Sequence, residues 1–538
     1  MFYYLLFLIP FNIAFSIFVN QYSFSNEDDA IISNDIESNG IYEFEMNSQD
    51  TIWVRTGAGL SLINFNNLSN PLFKTINHSN LPQGGAPAFF INNNIMVISG
   101  AAATYDNNAY RPMGTGIAWS INQGHNWNYI NQPIDNVETL YLLSEWGGQD
   151  SIRFKSITTQ IYNVSYDLEI TDNHIYATSF AGGLRRFNYL DESPIWELIP
   201  LPMDSQQELL CGQIDIETYK YDPVDPDLDD PESGGSDNHK AFSIFIDRDF
   251  IDGEIIWVGT GDGINRGIID TDNGCINWRH YNEDDGLGDR WVIGIRQQKI
   301  DDIEKRLWAI TWDPSVNIPI PHNLSYTEDF GNTWNVVSFF KSIGAIVYDL
   351  YFDDGLVYAS TDLGLYRTYN DNLNLWFRYD IQDSSNQTIM TDRIYASFVN
   401  TVHDSTILWA GSPDGLFYSY NEGSIWEMYR AWNRTSNSED NNKRLSAYPN
   451  PFYIDEGYGY ARIVYHDVSH SNNTQLDIFD FSMQHIQSLS SPEIIGDEAQ
   501  FVWDGRDKFS QEVSNGVYLC RLTISGATYW TKLMVVHS

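Results

Sequence analysis

Positive charge is scarce in this sequence. Thirty Lys+Arg face 72 Asp+Glu, for a formal net charge of −42. That balance excludes a broad electrostatic surface for nucleic acid or anionic lipid. It favours solubility, divalent cations and a salty medium that screens self-repulsion. Cysteine is scarce too. Cys211, Cys275 and Cys520 are too few and too scattered for a disulfide framework or a zinc site. A Cys211–Cys275 bridge stays open if both sit in neighbouring loops, but two buried free thiols are the expected state. Several signatures are missing: His-Glu-x-x-His, Gly-x-Ser-x-Gly and a phosphate-cradling Gly-rich Lys motif. His466 and His470 have helical metal-ligand spacing, but their neighbours (Asp467, Ser469, Ser471, Asn472) read as a loop after a strand.

What is present points to β structure. The 538 residues are 42% hydrophobic, enough for a sizeable core and long enough for more than one domain. Gly 38 and Pro 19, with abundant Asn, Ser and Tyr, are the usage of a turn-rich β protein. Residues 1–19 (MFYYLLFLIPFNIAFSIFV) carry no charged side chain and precede polar, acidic sequence. They read as a secretory signal peptide lacking the usual basic n-region, with an uncleaved anchor as the competing reading. No second apolar run of that length follows.

Self-similarity organises the middle of the chain. One phrase is an apolar pair, small residues, then Gly and an aliphatic residue: IWVRTGAGL ending at Leu60, IYATSFAGGL at Leu184, IWVGTGDGI at Ile264, VYASTDLGL at Leu365 and LWAGSPDGL at Leu416. Weaker copies start at Ile95 and Leu307, so copies begin near 52, 95, 175, 256, 307, 357 and 408. Each is a strand, a tight turn and a second strand. A second phrase, Ser/Thr-x-Asp/Asn-x-Gly-x-x-Trp, runs from Ser120 to Trp127, Thr327 to Trp334 and Ser419 to Trp426. Longer versions end at Trp278 and Trp376, and the segment ending at Trp196 is degenerate. In this phrase the Asp or Asn accepts backbone N–H groups, Gly takes positive φ and Trp returns to the core. A four-strand unit cannot bury both its faces alone, but seven arranged radially can.

The second phrase resembles the Asp-box of sialidase-type propellers. The first, with Asn282 to Leu287 and Trp291 to Ile295, is similar to the repeats of two-component-regulator sensor propellers. The resemblance covers roughly residues 31–432 and implies a β-propeller, with the Asp-box turns outside the blades and away from any central site. Sialidase chemistry would need three converging arginines, a Tyr–Glu pair and an Asp acid/base. The Arg-Ile-Pro signature is absent, the nearest match being Tyr110-Arg111-Pro112 close before Ser120. Other Asp-box glycoside hydrolases use a carboxylate pair, and no pair stands out among 72 carboxylates. Trp53, Trp257, Trp308 and Trp409 fall in repeat positions and read as core, whereas Trp119, Trp146, Trp291 and Trp312 are the candidate sugar platforms.

Two insertions of about 30 residues are too short for domains of their own. The second holds Asp222, Asp225, Asp227, Asp229, Asp230 and Asp237 among Pro and Gly. Such a run can wrap calcium, but its spacing is not that of an EF-hand, and a solvated acidic loop is the reading taken.

After a polar stretch come five runs of strand character, ARIVYHD, TQLDIFDF, AQFVWDG, GVYLCRLTI and YWTKLMVV, with Gly505 and Gly516 as turn residues. The size suits an Ig-like sandwich. The segment resembles the type A C-terminal sorting domain of the type IX secretion system, through Tyr448 to Phe452, Trp503 to Asp507, Asn515 to Tyr518 and Lys532 to Val536. The family usually has Gly after its aromatic-Asp pair, where this chain has Phe481-Ser482-Met483, and again near Ser510, so those turns are expected to take other geometries. The resemblance implies outer-membrane export and removal of the domain afterwards.

The expected organisation is all-β: a signal peptide (1–19), a seven-bladed β-propeller (25–432), a linker (433–444) and an Ig-like sorting sandwich (445–538) that stands apart from the propeller. The expected protein is secreted or on the outer-membrane surface of a Gram-negative bacterium. It is expected to partner the type IX machinery and to bind an extracellular glycan or protein, with no nucleic-acid partner and no membrane span once the signal is removed. A secreted glycoside hydrolase or lyase on the same scaffold is the alternative. No cofactor is expected beyond the open calcium question, and neither catalytic nor metal residues are assigned.

Overall fold

The computed structural model describes residues 36–537 apart from position 37 and short internal stretches, the longer ones being 65–71, 225–234, 249–253, 315–321, 383–388, 431–443, 455–458 and 467–473. The segment read as a signal peptide, the middle of the acidic loop, His470 and nearly all of the linker lie outside the described residues. Among the described residues no helix is long and apolar enough to cross a membrane.

Each copy of the first sequence phrase begins in the second strand of a sheet. Those strands are Thr51–Thr56, Ile95–Asp106, His174–Ser179, Ile255–Thr260, Lys305–Trp312, Leu356–Thr361 and Ser405–Ser412. In every case the sheet is an antiparallel meander of four consecutive strands. The sheet containing Ile255–Thr260 gains a fifth strand, Glu208–Leu209, on its outer edge. The first strands are Ile41–Ser48, Phe89–Asn92, Ser165–Ile170, Ala241–Asp247, Trp291–Lys299, Val347–Asp353 and Ala396–Val402. Each neighbours the next, and the last neighbours the first, so the circuit closes. A closed radial set of meanders is the arrangement of a β-propeller.

The second phrase forms the turn between third and fourth strands. At Thr327 the hydroxyl donates to Asp329 Oδ1 (2.8 Å) and accepts from Gly331 N (2.9 Å), while Asp329 Oδ1 also accepts from Thr333 N (2.8 Å). Ser120/Asn122 and Ser419/Asn421 repeat the pattern. Two adjacent residues, not Gly alone, turn left-handed: Phe330 (φ 59°) and Gly331 (φ 87°). A Cβ on Gly331 would meet the Tyr281 ring at 3.0 Å. The turn sends Trp127, Trp334 and Trp426 into the interior, each among side chains of its own and the preceding sheet. Trp334 meets Trp257 edge-on at 6.4 Å.

The two insertions fold together. Tyr141–Trp146 and Gln149–Lys155 pair as a hairpin, and Lys220–Tyr221 from the second insertion adds in parallel. Cys211 and Cys275 are joined by a disulfide, which corrects the expectation of free thiols. Pairing of Glu208–Leu209 with Ile276–Tyr281 brings the two residues together across 64 positions, a contact invisible in one dimension. Cys520 is the free, buried cysteine, and burial pushes its thiol up to about 12.

The C-terminal strands form two sheets. One orders Leu445–Tyr448, Ala461–His466, Glu498–Trp503 and Glu493–Ile495; the other orders Phe452–Tyr453, Ala527–Val536, Gly516–Ile524, Thr474–Phe479 and His485–Leu489. They share one core that includes Phe452, Ile463, Phe501, Trp503, Leu522 and Leu533. Gly505 turns at φ 73°, whereas Gly516 simply opens a strand. Met483 (φ 66°) and Ser510 (φ 62°) adopt left-handed backbone themselves. The expectation of other turn geometries therefore fails. Asp480 Oδ1 accepts from Gln484 N (2.8 Å) and Asp507 Oδ1 from Phe509 N (2.8 Å) and Gln511 N (3.0 Å), so Asx-type bonds hold a conformation that Gly would otherwise supply.

The expectation that this module stands apart also fails. Met390, from the connection between two propeller sheets, is a member of the sandwich core. Its carbonyl accepts from Gly459 N at 2.7 Å. Arg462 of the sandwich meets Asp414 of the propeller at 2.8 Å, with both side chains at 0% exposure. A buried ion pair cannot be recognised from composition, since neither residue sits in a motif.

Removing the Trp334 side chain should cost about 3–5 kcal/mol by leaving a large inter-sheet cavity. Asp329→Ala should cost about 1–2 kcal/mol through lost turn bonds. Urea titrations read both, and two variants matching wild type would contradict the packing described. Replacing both Cys211 and Cys275 by Ser should lower stability by about 2–4 kcal/mol in the same assay.

Candidate functional site

The first strands carry a third repeated phrase, an aromatic residue followed by carboxylates in alternation: Tyr42-Glu-Phe-Glu45, Tyr166-Asp-Leu-Glu169 and Tyr348-Asp-Leu-Tyr-Phe-Asp353. Alternation places residues two apart on one side of a strand. The register slips by one residue at the same place in five first strands, leaving Tyr42, Tyr166, Phe242, Ile293 and Tyr348 as the extra residues. Such bulges re-aim side chains next to sites. Here aromatic rings on or just before adjacent first strands meet. Tyr42 stacks on Tyr395 at 4.7 Å, Tyr395 meets Tyr348 at 5.1 Å, and Phe242 meets Tyr166 at 6.4 Å and Trp291 at 5.1 Å. Two aromatic arcs result.

Beyond these arcs, further along the same strands, lies a cavity of about 500 Å³. Glu43, Glu45, Asp167, Glu169, Asp349 and Asp353 line it, with Phe90, Phe245 and Phe398 between them. Arg296 enters from the Trp291–Lys299 strand and its Nε donates to Asp349 Oδ1 at 2.9 Å. Glu43 is held by Arg55 at 2.7 Å, and Glu169 by Arg248. Backbone groups also engage: Asp167 Oδ2 accepts from Ile244 N (3.0 Å) and Glu169 Oε1 from Ile246 N (3.1 Å).

Burial dominates the electrostatics. It lifts Asp167 to about 7, against an ordinary 3.8, despite the opposing charge of Arg296. Glu45 is raised well above its usual range by burial and then by Glu43. Glu169 and Asp349 are raised by burial, against Arg248 and Arg296 respectively. Burial disfavours the Arg296 cation, but Asp349, Asp167, Glu43 and Glu45 together outweigh it and raise its pKa. The chamber thus holds more carboxyl groups than it can ionise, around a permanently charged guanidinium.

Of the candidates named from sequence, Trp291 belongs to an aromatic arc through Phe242, and the others lie elsewhere. Trp119, Trp146, Trp291 and Trp312 are all buried, so none is an exposed sugar platform, and Trp291 packs on Trp312 at 5.1 Å. Each belongs to a strand whose alternation turns it into a core. Arg111 sits on the long Ala109–Ser120 hairpin, donating to Tyr162 Oη at 2.7 Å, and does not line the chamber. The described ends of the acidic loop are engaged by cations: Asp222 by Lys155 at 3.2 Å, Asp237 by Lys240 and by Arg290 at 3.1 Å. Among the described residues no group of three or more His, Cys, Asp or Glu is arranged to hold a metal ion. The chamber carboxylates do not stand out among 72 carboxylates because they sit on separate first strands far apart in the chain. The aromatic–acid–apolar–acid phrase is the signal that marks them.

No family model matches this chain. No curated protein matches it either. Solved structures do. An ancestral GH74 enzyme superposes with TM-score 0.47 and 14% identity, over 93% of this chain and 63% of that one. The β-propeller domain of Cps50 (Swd1) from Myceliophteria thermophila gives 0.41 and 10%, over 72% and 99%. PorZ, described as a surface component of the type IX secretion system of Porphyromonas gingivalis, gives 0.34 and 12%, over 92% of this chain and 66% of its own length. These superpositions are loose, and the ring of sheets rests on this chain's own strand pairing.

The raised Asp167 sets a pH dependence. Its proton is held more tightly folded than unfolded, so stability falls as pH rises from about 4 to about 7 and then levels. Asp167→Asn keeps an oxygen for the Ile244 N–H and removes that loss. The variant's melting temperature should match wild type near pH 4 and exceed it progressively up to pH 7. A difference that is flat with pH would show that the carboxyl titrates normally.

Proposed function

We propose that this protein is an exported binding module whose ligand presents a positively charged group, an ammonium or guanidinium, to the propeller channel. The observation that carries this reading is the acid-rich chamber around Arg296, preceded by arcs of tyrosine, phenylalanine and tryptophan. Aromatic faces attract a cation through their quadrupole, and the partly desolvated carboxylates beyond can pair with it. A cation that enters lets more of the carboxyls ionise, so binding releases protons. The strong negative charge of the chain favours encounter with such ligands.

The same proposal takes the ring as a seven-bladed propeller of Asp-box type, spanning 25–432 and followed by an Ig-like sandwich, 445–538, that acts as a type IX sorting domain. The closed circuit of first strands and the repeated Ser/Thr–Asp/Asn turn bonds support the propeller type. The Tyr448 to Phe452 and Trp503 to Asp507 motifs and the two-sheet core support the sorting module. The Cys211–Cys275 disulfide and the apolar 1–19 segment suit an oxidising, extracytoplasmic setting at the surface of a Gram-negative cell.

A second reading is a glycoside hydrolase. One observation favours it: a carboxyl lifted to about 7, as Asp167 is, suits a general acid in a chamber lined by further carboxyl groups. Two assays separate the readings. Titration calorimetry with an oligolysine probe should show binding that strengthens from pH 6 to pH 8, as the chamber ionises, and weakens in Glu45→Gln. Incubation with a glycan panel should release no reducing ends. Turnover that Asp167→Asn abolishes, without oligolysine binding, would replace the binding reading with the hydrolase one.

A further inference from the structure

The contact between propeller and sandwich is built around one carboxylate. Asp414 sits in the turn joining Ser405–Ser412 to Gly415–Ser419, where Ser412 Oγ accepts from Asp414 N and donates to Gly415 O, both at 3.0 Å. Its side chain accepts from two guanidinium groups. Arg430, at the end of the last propeller sheet, donates Nη2 to Oδ2 (2.8 Å) and Nε to Oδ1 (3.1 Å). Arg462, in the Ala461–His466 strand of the sandwich, donates Nη2 to Oδ2 (2.8 Å) and Nε to Oδ1 (3.2 Å). Met390 N adds a fifth donor, to Oδ2 at 2.8 Å. The three charged side chains are 0–1% exposed.

The protein contains its own comparison for this arrangement. Asp262 occupies the same turn position in another sheet, with Thr260 Oγ1 donating to Gly263 O, and it pairs with Arg290 Nε at 2.9 Å. There Arg290 is 41% exposed, His280 is the other neighbour at 3.3 Å, and among the described residues no sandwich strand supplies a second arginine. The Asp414 turn has the same local build but is closed over by Arg462 on one side and by Met390, seated in the sandwich core, on the other. Two bidentate guanidinium groups on one buried carboxylate, plus an apolar plug, form a desolvated interface of the kind that dissociates slowly.

We infer that the sandwich is a resident partner of the propeller, held non-covalently through Asp414, Arg462 and Met390, and that cutting the connecting chain does not release it. The recognised element is a β-module presenting a buried, bidentate arginine and a socket for a methionine. Separating the pieces would leave Arg462 without its carboxylate and would empty the Met390 socket. A protease acting between Arg430 and Arg444 would therefore produce a nicked, two-piece protein. This differs from the removal that the sorting-domain resemblance implies. It stands whatever ligand the channel takes and however the chain is exported.

The test uses the full chain with a specific protease site inserted between Arg430 and Arg444. After complete cutting, the pieces should co-elute in gel filtration at micromolar concentration, in both 0.15 M and 1 M NaCl. Arg462→Gln, made on the sandwich side of the contact, should weaken the association of the cut pieces about a hundredfold or more by removing both charge-assisted bonds that Arg462 donates to Asp414. Met390→Ala should weaken it less, and Glu493→Gln, whose carboxylate is 3.8 Å from Arg462, should leave it unchanged. Circular dichroism of the cut pieces checks that each retains its β signal. Wild-type pieces that separate while still folded would overturn the inference. So would an Arg462→Gln protein whose pieces remain as tightly joined as wild type.

Discussion

The structure depends on how the innermost edge of each sheet is satisfied. A first strand has a ladder partner on one side only, and its other edge faces the ring with unpaired N–H and C=O groups. Side chains of adjacent sheets supply part of the remedy. Asp167 and Glu169 accept from Ile244 N and Ile246 N, Ser243 Oγ donates to Val292 O at 3.4 Å, and Tyr351 Oη donates to Val399 O at 3.0 Å. Carboxylates recruited to this edge are drawn out of bulk water, which raises their pKa and gathers them around Arg296. Closing the ring and charging its chamber are thus two results of one constraint.

The outer part of each sheet solves a different problem. Two sheets stacked face to face need large, shape-matched side chains between them, and indole rings fill that space well. A turn must deliver each ring inward without breaking the fourth strand, and the Ser/Thr–Asp/Asn turn does so with bonds that are entirely local. Local bonding makes the turn repeatable, so Trp127, Trp334 and Trp426 meet equivalent surroundings in different sheets. The insertions escape the repeat and are tied back instead by a disulfide and by strand pairing with each other.

The contact between propeller and sandwich is governed by charge rather than by repeat. Asp414 stands where Asp262 stands in another sheet, yet a buried arginine from the sandwich converts a common turn residue into a fixed contact between modules. Apolar packing through Met390 and ionic pairing through Arg462 act at the same place.

Sequence alone determined what local chemistry controls. Strand period, Gly placement and the Ser/Thr-x-Asp/Asn-x-Gly-x-x-Trp phrase marked the hairpins and the buried Trp334, because all the bonds involved lie within a few residues. The left-handed turns at Met483 and Ser510 escaped, since Asx bonds substituted for the expected Gly. Only tertiary structure decided the rest. Glu43, Asp167, Arg296 and Asp349 are far apart in the chain and become one chamber only when the ring closes. Cys211 reaches Cys275, and Arg462 reaches Asp414, by the same kind of long-range closure. A repeated phrase marks the strands that carry the chamber carboxylates, but no local signature says which residues become partners, because desolvation selects them and exists only once the fold has excluded water.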